Sequence, residues 1–126
     1  MLKQALTRAN DREAALRVLV EMPPSVAMLL PVLPEVLDTS IDSSNLTAIG
    51  LAREVLFRYR TEPVGRTAIA QLGAGYLPSH DEWQYRRLAE LYVLLRYDEE
   101  LASFLLLCQA SPNAEIQELY DDFCPS

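Results

Sequence analysis

Prolines and helix-capping residues divide this chain into short segments, and within each segment the apolar residues recur every three or four positions. That spacing places apolar side chains on one side of an α-helix, whereas a half-buried strand would alternate them. The chain has only four glycines and many Leu, Ala, Glu and Arg residues, a composition that favours helices over a sheet sandwich. Because 126 residues is close to the usual size of one domain, we expect a single all-α domain over residues 1–126.

The segment boundaries predict seven helices. Pro31 and Pro34 each remove a backbone donor, so the second helix should be broken or kinked. The polar stretch Thr39–Asn45 predicts a loop, and Ser79 with Glu82 three residues later has the spacing of a capping box. The predicted helices cover residues 10–22, 25–38, 46–60, 63–75, 81–95, 99–110 and 112–123. Their apolar faces predict a core that includes Leu16, Leu19, Leu30, Leu56, Leu88, Tyr92, Leu95, Leu105 and Ile116.

Part of the sequence repeats at an interval of 38 residues. The matching residues are Val55, Leu56, Arg58, Tyr59, Glu62 and Gln71 with Val93, Leu94, Arg96, Tyr97, Glu100 and Gln109. The repeat predicts three antiparallel helix pairs, at about 10–38, 43–75 and 81–110, with a capping helix over 112–123 as a terminal half-repeat. An ordinary helical bundle with chance similarity is the alternative.

The chain resembles HEAT and armadillo-type α-solenoid repeats over nearly all its length. The likeness rests on residues 63–68 and 113–118, which are similar to the polar-Val-Arg-x-x-Ala helix start of that family, and on the prolines of the second segment. The resemblance implies stacked helix pairs that act as a binding scaffold. It also implies that the second helices, at residues 63–73 and 98–110, line a concave face.

The charge of the chain is unevenly distributed. Eighteen acids and eleven bases give a formal charge of -7. Residues 1–80 carry eight acids and eight bases, whereas residues 81–126 carry ten acids and three arginines. An acidic chain argues against nucleic acid or an anionic membrane surface as the partner, and it favours a protein with a basic surface.

Residue types used in catalysis occur, but their spacing does not fit catalysis. Ser79, His80 and Asp81 are consecutive and cannot converge as a hydrolase triad, and a single histidine cannot form a two-histidine metal site. Gly73 and Gly75 follow a predicted helix rather than a strand, so they indicate a left-handed helix end and not a phosphate-binding turn. The sequence therefore predicts no catalytic residue, no metal and no cofactor.

The two cysteines and the apolar runs favour a cytoplasmic protein. Cys108 and Cys124 are not spaced as metal ligands, and we expect both to be free thiols, with Cys108 buried. No stretch has the length of a signal peptide or of a transmembrane helix, and Pro31 interrupts one of the two longest apolar runs.

These observations predict a non-enzymatic protein-binding module, and most specifically an immunity or antitoxin protein that covers the active surface of a basic, nuclease-like bacterial toxin. Two alternatives remain: an adaptor or chaperone that holds a partner helix in a concave apolar groove, and an enzyme of an unrecognised type. Trp83 is either a hydrophobic staple or a contact anchor, and the acids form either an interface or a solvated face. The candidate partner-binding residues are Tyr97, Asp98, Glu99, Glu100, Glu115, Glu118, Tyr120, Asp121 and Asp122.

Overall fold

The computed structural model describes residues 11–124, and all regular secondary structure in this range is helical. The all-α prediction is therefore confirmed. The chain divides after Gly75 into two compact units, which we call unit 1 and unit 2. The first predicted helix pair begins with Asn10 as its capping residue, and Asn10 lies outside the described residues.

Unit 1 is built around one central helix. Its helices are α1 (Arg12–Glu21), α2 (Val26–Leu29), α3 (Leu33–Asp42), α4 (Leu46–Arg58) and α5 (Pro63–Ala74). Helix α4 packs against both α1 and α3, and α3 also contacts α5. The hydroxyl of Tyr59 donates a hydrogen bond to the carbonyl of Pro24, which ties the end of α4 to the segment between α1 and α2.

The predicted break in the second helix is present, as a 3-10 turn at Leu30–Val32 between α2 and α3. Pro31 lies in this turn and Pro34 in the first turn of α3, where a missing N–H costs little. The break changes which leucine faces inward: Leu29 is fully buried and Leu30 is only half-buried. Leu30 was therefore a wrong core prediction, whereas the other eight predicted core residues are buried.

The loop predicted over Thr39–Asn45 is wrong in its first half, because α3 continues to Asp42. The hydroxyls of Thr39 and Ser40 donate to backbone carbonyls of the preceding turn, at 2.9 and 2.7 Å, so they are satisfied within the helix. Ile41 is fully buried. Burial of this side chain stabilises the helical turn that the polar residues alone would not predict.

Unit 2 is a group of three mutually packed helices. They are α6 (Glu82–Leu95), α7 (Asp98–Gln109) and α8 (Ala114–Phe123), preceded by a 3-10 turn at Leu77–Ser79. Each of the three helices contacts the other two. The ring of Phe104 meets the rings of Tyr85 and Tyr92 edge-on, with centroids 5.1 and 6.0 Å apart, and both tyrosines are buried, as predicted for Tyr92.

The capping residue of α6 is Asp81 and not Ser79. Asp81 Oδ1 accepts the backbone N–H of Gln84 at 2.9 Å. Ser79 instead donates its hydroxyl to the carbonyl of Tyr76 at 2.8 Å, within the preceding 3-10 turn. His80 joins turn and helix in a left-handed conformation, with φ of 50°.

The start of α8 also lies later than predicted. The sequence predicts a start at residue 112, but Asn113 is the cap and its Oδ1 accepts the N–H of Glu115 at 2.9 Å. The predicted left-handed helix end at Gly73 or Gly75 is wrong as well, because Gly75 has a φ of -63°. Arg96 takes the left-handed conformation instead, with φ of 59°, at the end of α6.

The burial pattern of α4 recurs in α6 at an interval of 36 residues. Asn45 caps α4 as Asp81 caps α6, each through a side-chain oxygen that accepts the N–H three residues later. The buried pairs at this interval are Ile49 and Tyr85, Ala52 and Leu88, Val55 and Leu91, Leu56 and Tyr92, and Tyr59 and Leu95. At the predicted interval of 38, buried Val55 and Leu56 match Val93 and Leu94, which are 50% and 39% exposed. The buried positions of the two helices therefore follow an interval of 36 residues, although Tyr59 and Tyr97, which match at 38, are also both buried.

Replacing Leu88 by Ala should destabilise the protein by about 2–5 kcal/mol, because Leu88 is fully buried in α6 and the substitution leaves a cavity. Leu94→Ala, in the same helix at a position that is 39% exposed, is the matched control and should cost much less. Urea unfolding followed by circular dichroism measures both free energies. Equal costs for the two variants would contradict the burial described above.

Candidate protein-binding face

Helices α6 and α8 together form an exposed face rich in carboxylates. Glu82, Trp83, Arg86, Glu115 and Glu118 line a shallow depression of about 330 Å³ between the two helices. Beside it, Arg86 Nη2 lies 2.9 Å from Asp122 Oδ2, so an ion pair joins α6 to α8. We call these six residues the acidic face.

The sequence of α8 explains why three of its acids lie together. Ile116 and Leu119 are 1% exposed and fix the inner side of the helix. Glu115, Glu118 and Asp122 follow at spacings of three and four and are all exposed, so they share the outer side. The predicted strip of carboxylates is therefore present on α8.

The start of α6 brings a further carboxylate to this strip. A hydrogen bond with Glu115 raises the pKa of the Glu82 carboxyl above its ordinary value. Desolvation and repulsion from Glu115 and Asp81 raise the pKa further, while a hydrogen bond with Asn113 opposes the shift. Glu82 therefore holds a proton more readily than an isolated carboxylate, which indicates that negative charge is crowded around it.

Trp83 provides an aromatic surface in the middle of these carboxylates. The side chain is 54% exposed, and the Arg87 guanidinium carbon lies 4.4 Å from the ring centroid. This cation–π contact holds the indole in place without covering it. Of the two roles expected for Trp83, the exposed position agrees with a contact anchor.

Tyr97, in contrast, is only 2% exposed and packs near the ring of Tyr92, with centroids 6.5 Å apart. The expected role of Tyr97 as a contact anchor is therefore wrong, because its ring lies in the core. Tyr120 is half-buried, and a hydrogen bond with Cys124 raises the pKa of its hydroxyl. Neither tyrosine presents an open ring as Trp83 does.

The remaining predicted acids lie at two other places. Asp98, Glu99 and Glu100 form the first turn of α7, with Asp98 inside the helix rather than as its cap. Acids in this position interact favourably with the helix dipole, which supplies a structural reason for their presence. Asp121 is exposed on α8 next to Asp122.

Two members of the acidic face were missed at the sequence level. Glu82 was interpreted only as part of a capping box, and Arg86 was counted only in the charge total. Their spacing of four residues, with Trp83 between them, predicts a shared side of α6. What the sequence of α6 alone could not indicate is that α8 packs against this side.

The residues of catalytic type before α6 have local structural roles. Asp81, Ser79 and His80 form the turn and cap before α6 and do not converge on a common point. Among residues 11–124, no three side chains of the metal-binding types are grouped to hold an ion. None of the helices in that range is both long and apolar enough to cross a membrane.

The exposed thiol of Cys124 should react faster than the buried thiol of Cys108. Both cysteines are free, as predicted, with Cys108 buried and Cys124 exposed, and burial raises the pKa of the Cys108 thiol to about 11. Titration with a thiol reagent at pH 8 should count one rapidly reacting thiol in the folded protein and two after unfolding in urea. Two rapid thiols in the folded state, or none after unfolding, would contradict this arrangement.

The Glu82 and Glu115 pair should make stability depend on pH. Because the pKa of Glu82 is raised in the folded protein, its contribution is fully present below the pKa of the unfolded chain and is lost as pH rises through the raised value. We expect Glu82→Gln to unfold at a higher urea concentration at pH 7 than Glu99→Gln, which also removes an acid from a first helical turn. The difference should shrink towards pH 4, and a difference independent of pH would rule out the repulsion.

No protein-family model, curated protein or solved structure matches this chain. The acidic face of unit 2 is therefore the observation on which the functional proposal below rests.

Proposed function

We propose that this chain is a non-enzymatic protein-binding module that covers a basic surface of another protein with the acidic face of unit 2. The observation that carries the proposal is the exposed indole of Trp83 in a depression that it shares with Glu82, Glu115 and Glu118. Crowded carboxylates around an aromatic side chain are costly when solvated alone, and a cationic partner relieves that repulsion. Aromatic side chains are also frequent anchors of protein interfaces.

The most specific form of the proposal is an immunity or antitoxin protein for a nuclease-like bacterial toxin, acting in the cytoplasm. A nuclease binds a polyanion, so its substrate groove is basic and complements a carboxylate-rich face. All of the net charge of -7 lies in residues 81–126, which is the part of the chain that carries the acidic face. Occlusion of the groove neutralises the enzyme without any catalysis by this chain.

We further propose that the helices belong to a short α-solenoid of the HEAT-like kind. The support is the recurrence of caps and buried positions in α4 and α6 at an interval of 36 residues. Stacked repeats of this kind present extended binding surfaces.

The second candidate is an adaptor or chaperone that holds a partner helix. The observation that favours it is the exposure of Leu106 and Leu107 on α7, which are 60% and 54% accessible. An apolar surface on the second helix of a pair is the feature expected of such a groove.

Removing charge from α8 should slow association with the partner. The variant carries Glu115→Gln, Glu118→Gln and Asp122→Asn together, and the partner to test is the product of a toxin-like reading frame directly upstream. Because steering by charge acts on the association rate, we expect that rate to fall about tenfold in stopped-flow measurements at low salt, with a weaker salt dependence.

The matched control removes the same charge elsewhere. Glu21→Gln, Asp42→Asn and Glu54→Gln change three exposed acids of unit 1 and should leave the rate close to wild type. An equal effect of both triple variants would show that the acidic face is only a solvated surface and not the binding site. Absence of inhibition of the upstream product would overturn the toxin assignment.

A further inference from the structure

Helix α7 is apolar on two sides, although the sides differ in exposure. Leu101, Phe104, Leu105 and Cys108 are buried against the rest of unit 2. Leu106 and Leu107 point away from this core and are 60% and 54% exposed. A helix that is apolar all round usually has neighbours on both sides.

The exposed side of α7 continues into a depression of about 450 Å³ at the C-terminal end of the helix. Its lining is mostly apolar and includes Leu77, Tyr85, Leu107 and Pro112, and the polar side chains of His80 and Ser111 also contribute. Tyr85 is 4% exposed and its hydroxyl donates to the carbonyl of Leu77, so this part of the lining is fixed. The volume is sufficient for a large apolar side chain.

The other end of the same side of α7 is negative. Glu99 is exposed, and Ala102 and Leu106 follow it at spacings of three and four. Glu99 and Leu106 are seven residues apart, which is about 10 Å along a helix axis. Asp98 and Glu100 add to the charge of this first turn. The surface therefore has an acidic end and an apolar end, separated by two turns.

We propose that this surface, formed by Glu99, Leu106, Leu107 and the depression, binds one amphipathic helix of a partner protein. A large apolar side chain of that helix occupies the depression, and an Arg or Lys about two to three turns away faces Glu99, because Leu107 and Ala110 of the lining lie 8 and 11 residues from Glu99. None of these residues belongs to the acidic face, so the proposal is independent of the leading proposed function; it rests on the second candidate function, a module that holds a partner helix.

Charge disfavours a second copy of this chain as the occupant. In a two-fold antiparallel pairing of α7 with itself, Glu99 of one copy faces the C-terminal end of the other. Gln109, Ala110 and Ser111 carry no charge, the imidazole of His80 is the one basic side chain among the residues that line the depression there, and the end of a helix carries partial negative charge. A parallel pairing would set the acidic first turns against each other. A cationic helix from another protein avoids both costs.

The experiment is a selection from a phage-displayed library of 16-residue helical peptides, with the full chain as bait. We expect the enriched peptides to carry a large apolar residue and an Arg or Lys about 8 to 11 positions apart, which matches the separation of Glu99 from Leu107 and Ala110. A synthetic peptide of the most enriched sequence is then measured by fluorescence anisotropy. Affinity should fall at least about tenfold for the Leu106→Ser, Leu107→Ser variant, and Glu99→Gln should weaken binding and its salt dependence.

The control is Leu46→Ser, which replaces a leucine that is 78% exposed at the start of α4. It should bind the peptide like wild type, and circular dichroism of all variants checks that they fold. The triple α8 variant described above should also bind normally. Loss of binding in that variant would assign the peptide to the acidic face and overturn this proposal while leaving the proposed function intact.

Three other outcomes overturn the proposal. They are enrichment of peptides that lack a cation, binding that is unaffected by the leucine variant, and no enrichment at all. Sedimentation of the wild-type chain as a dimer that the leucine variant dissociates would assign the surface to a second copy.

Discussion

The positions of the carboxylates on the acidic face depend on the packing of three helices around a small aromatic core. Phe104 of α7 lies edge-on against Tyr85 and Tyr92 of α6, and this contact fixes which side of each helix faces inward. Ile116 and Leu119 complete the core from α8. Because side chains three and four apart share a side of a helix, burial of these two residues places Glu115 and Glu118 outside. The carboxylates are thus positioned by apolar contacts rather than by their own interactions.

The helices were predictable from the sequence because apolar residues recur regularly along each of them. The ends of the helices were harder to predict. Ser79, Asp81, Ser111 and Asn113 can all act as caps, and several such residues within three positions leave the choice open. Packing decides it: the caps in use are those that start α6 and α8 where Tyr85 and Ile116 reach the core. The wrong core prediction for Leu30 has a similar cause. The spacing of apolar residues does not distinguish Leu29 from Leu30, and the geometry of the turn at Pro31 places Leu29 in the core.

The acidic face was also predictable only in the part that depends on a single helix. Spacing alone predicted that Glu115, Glu118 and Asp122 would share a side, because that property belongs to one helix. The roles of Trp83 and Tyr97 could not be separated in this way, since both are aromatic residues near acids. Tyr97 follows the left-handed Arg96, and this reversal of the chain turns its ring into the core. Trp83 lies in the first turn of α6, on the side that α8 approaches, and stays exposed.

The two binding surfaces that we propose for unit 2 differ in the physical force that each offers a partner. Coulomb attraction extends over about a Debye length, so the acidic face influences a partner before contact and mainly affects its rate of approach. Leu106 and Leu107 act only at contact, where removal of apolar area from water slows dissociation. Unit 1 has no net formal charge, because residues 1–80, which include it, carry equal numbers of acids and bases. On these two proposals unit 2 carries both the long-range and the short-range determinants of binding, because its charge acts before contact and its exposed leucines act at contact.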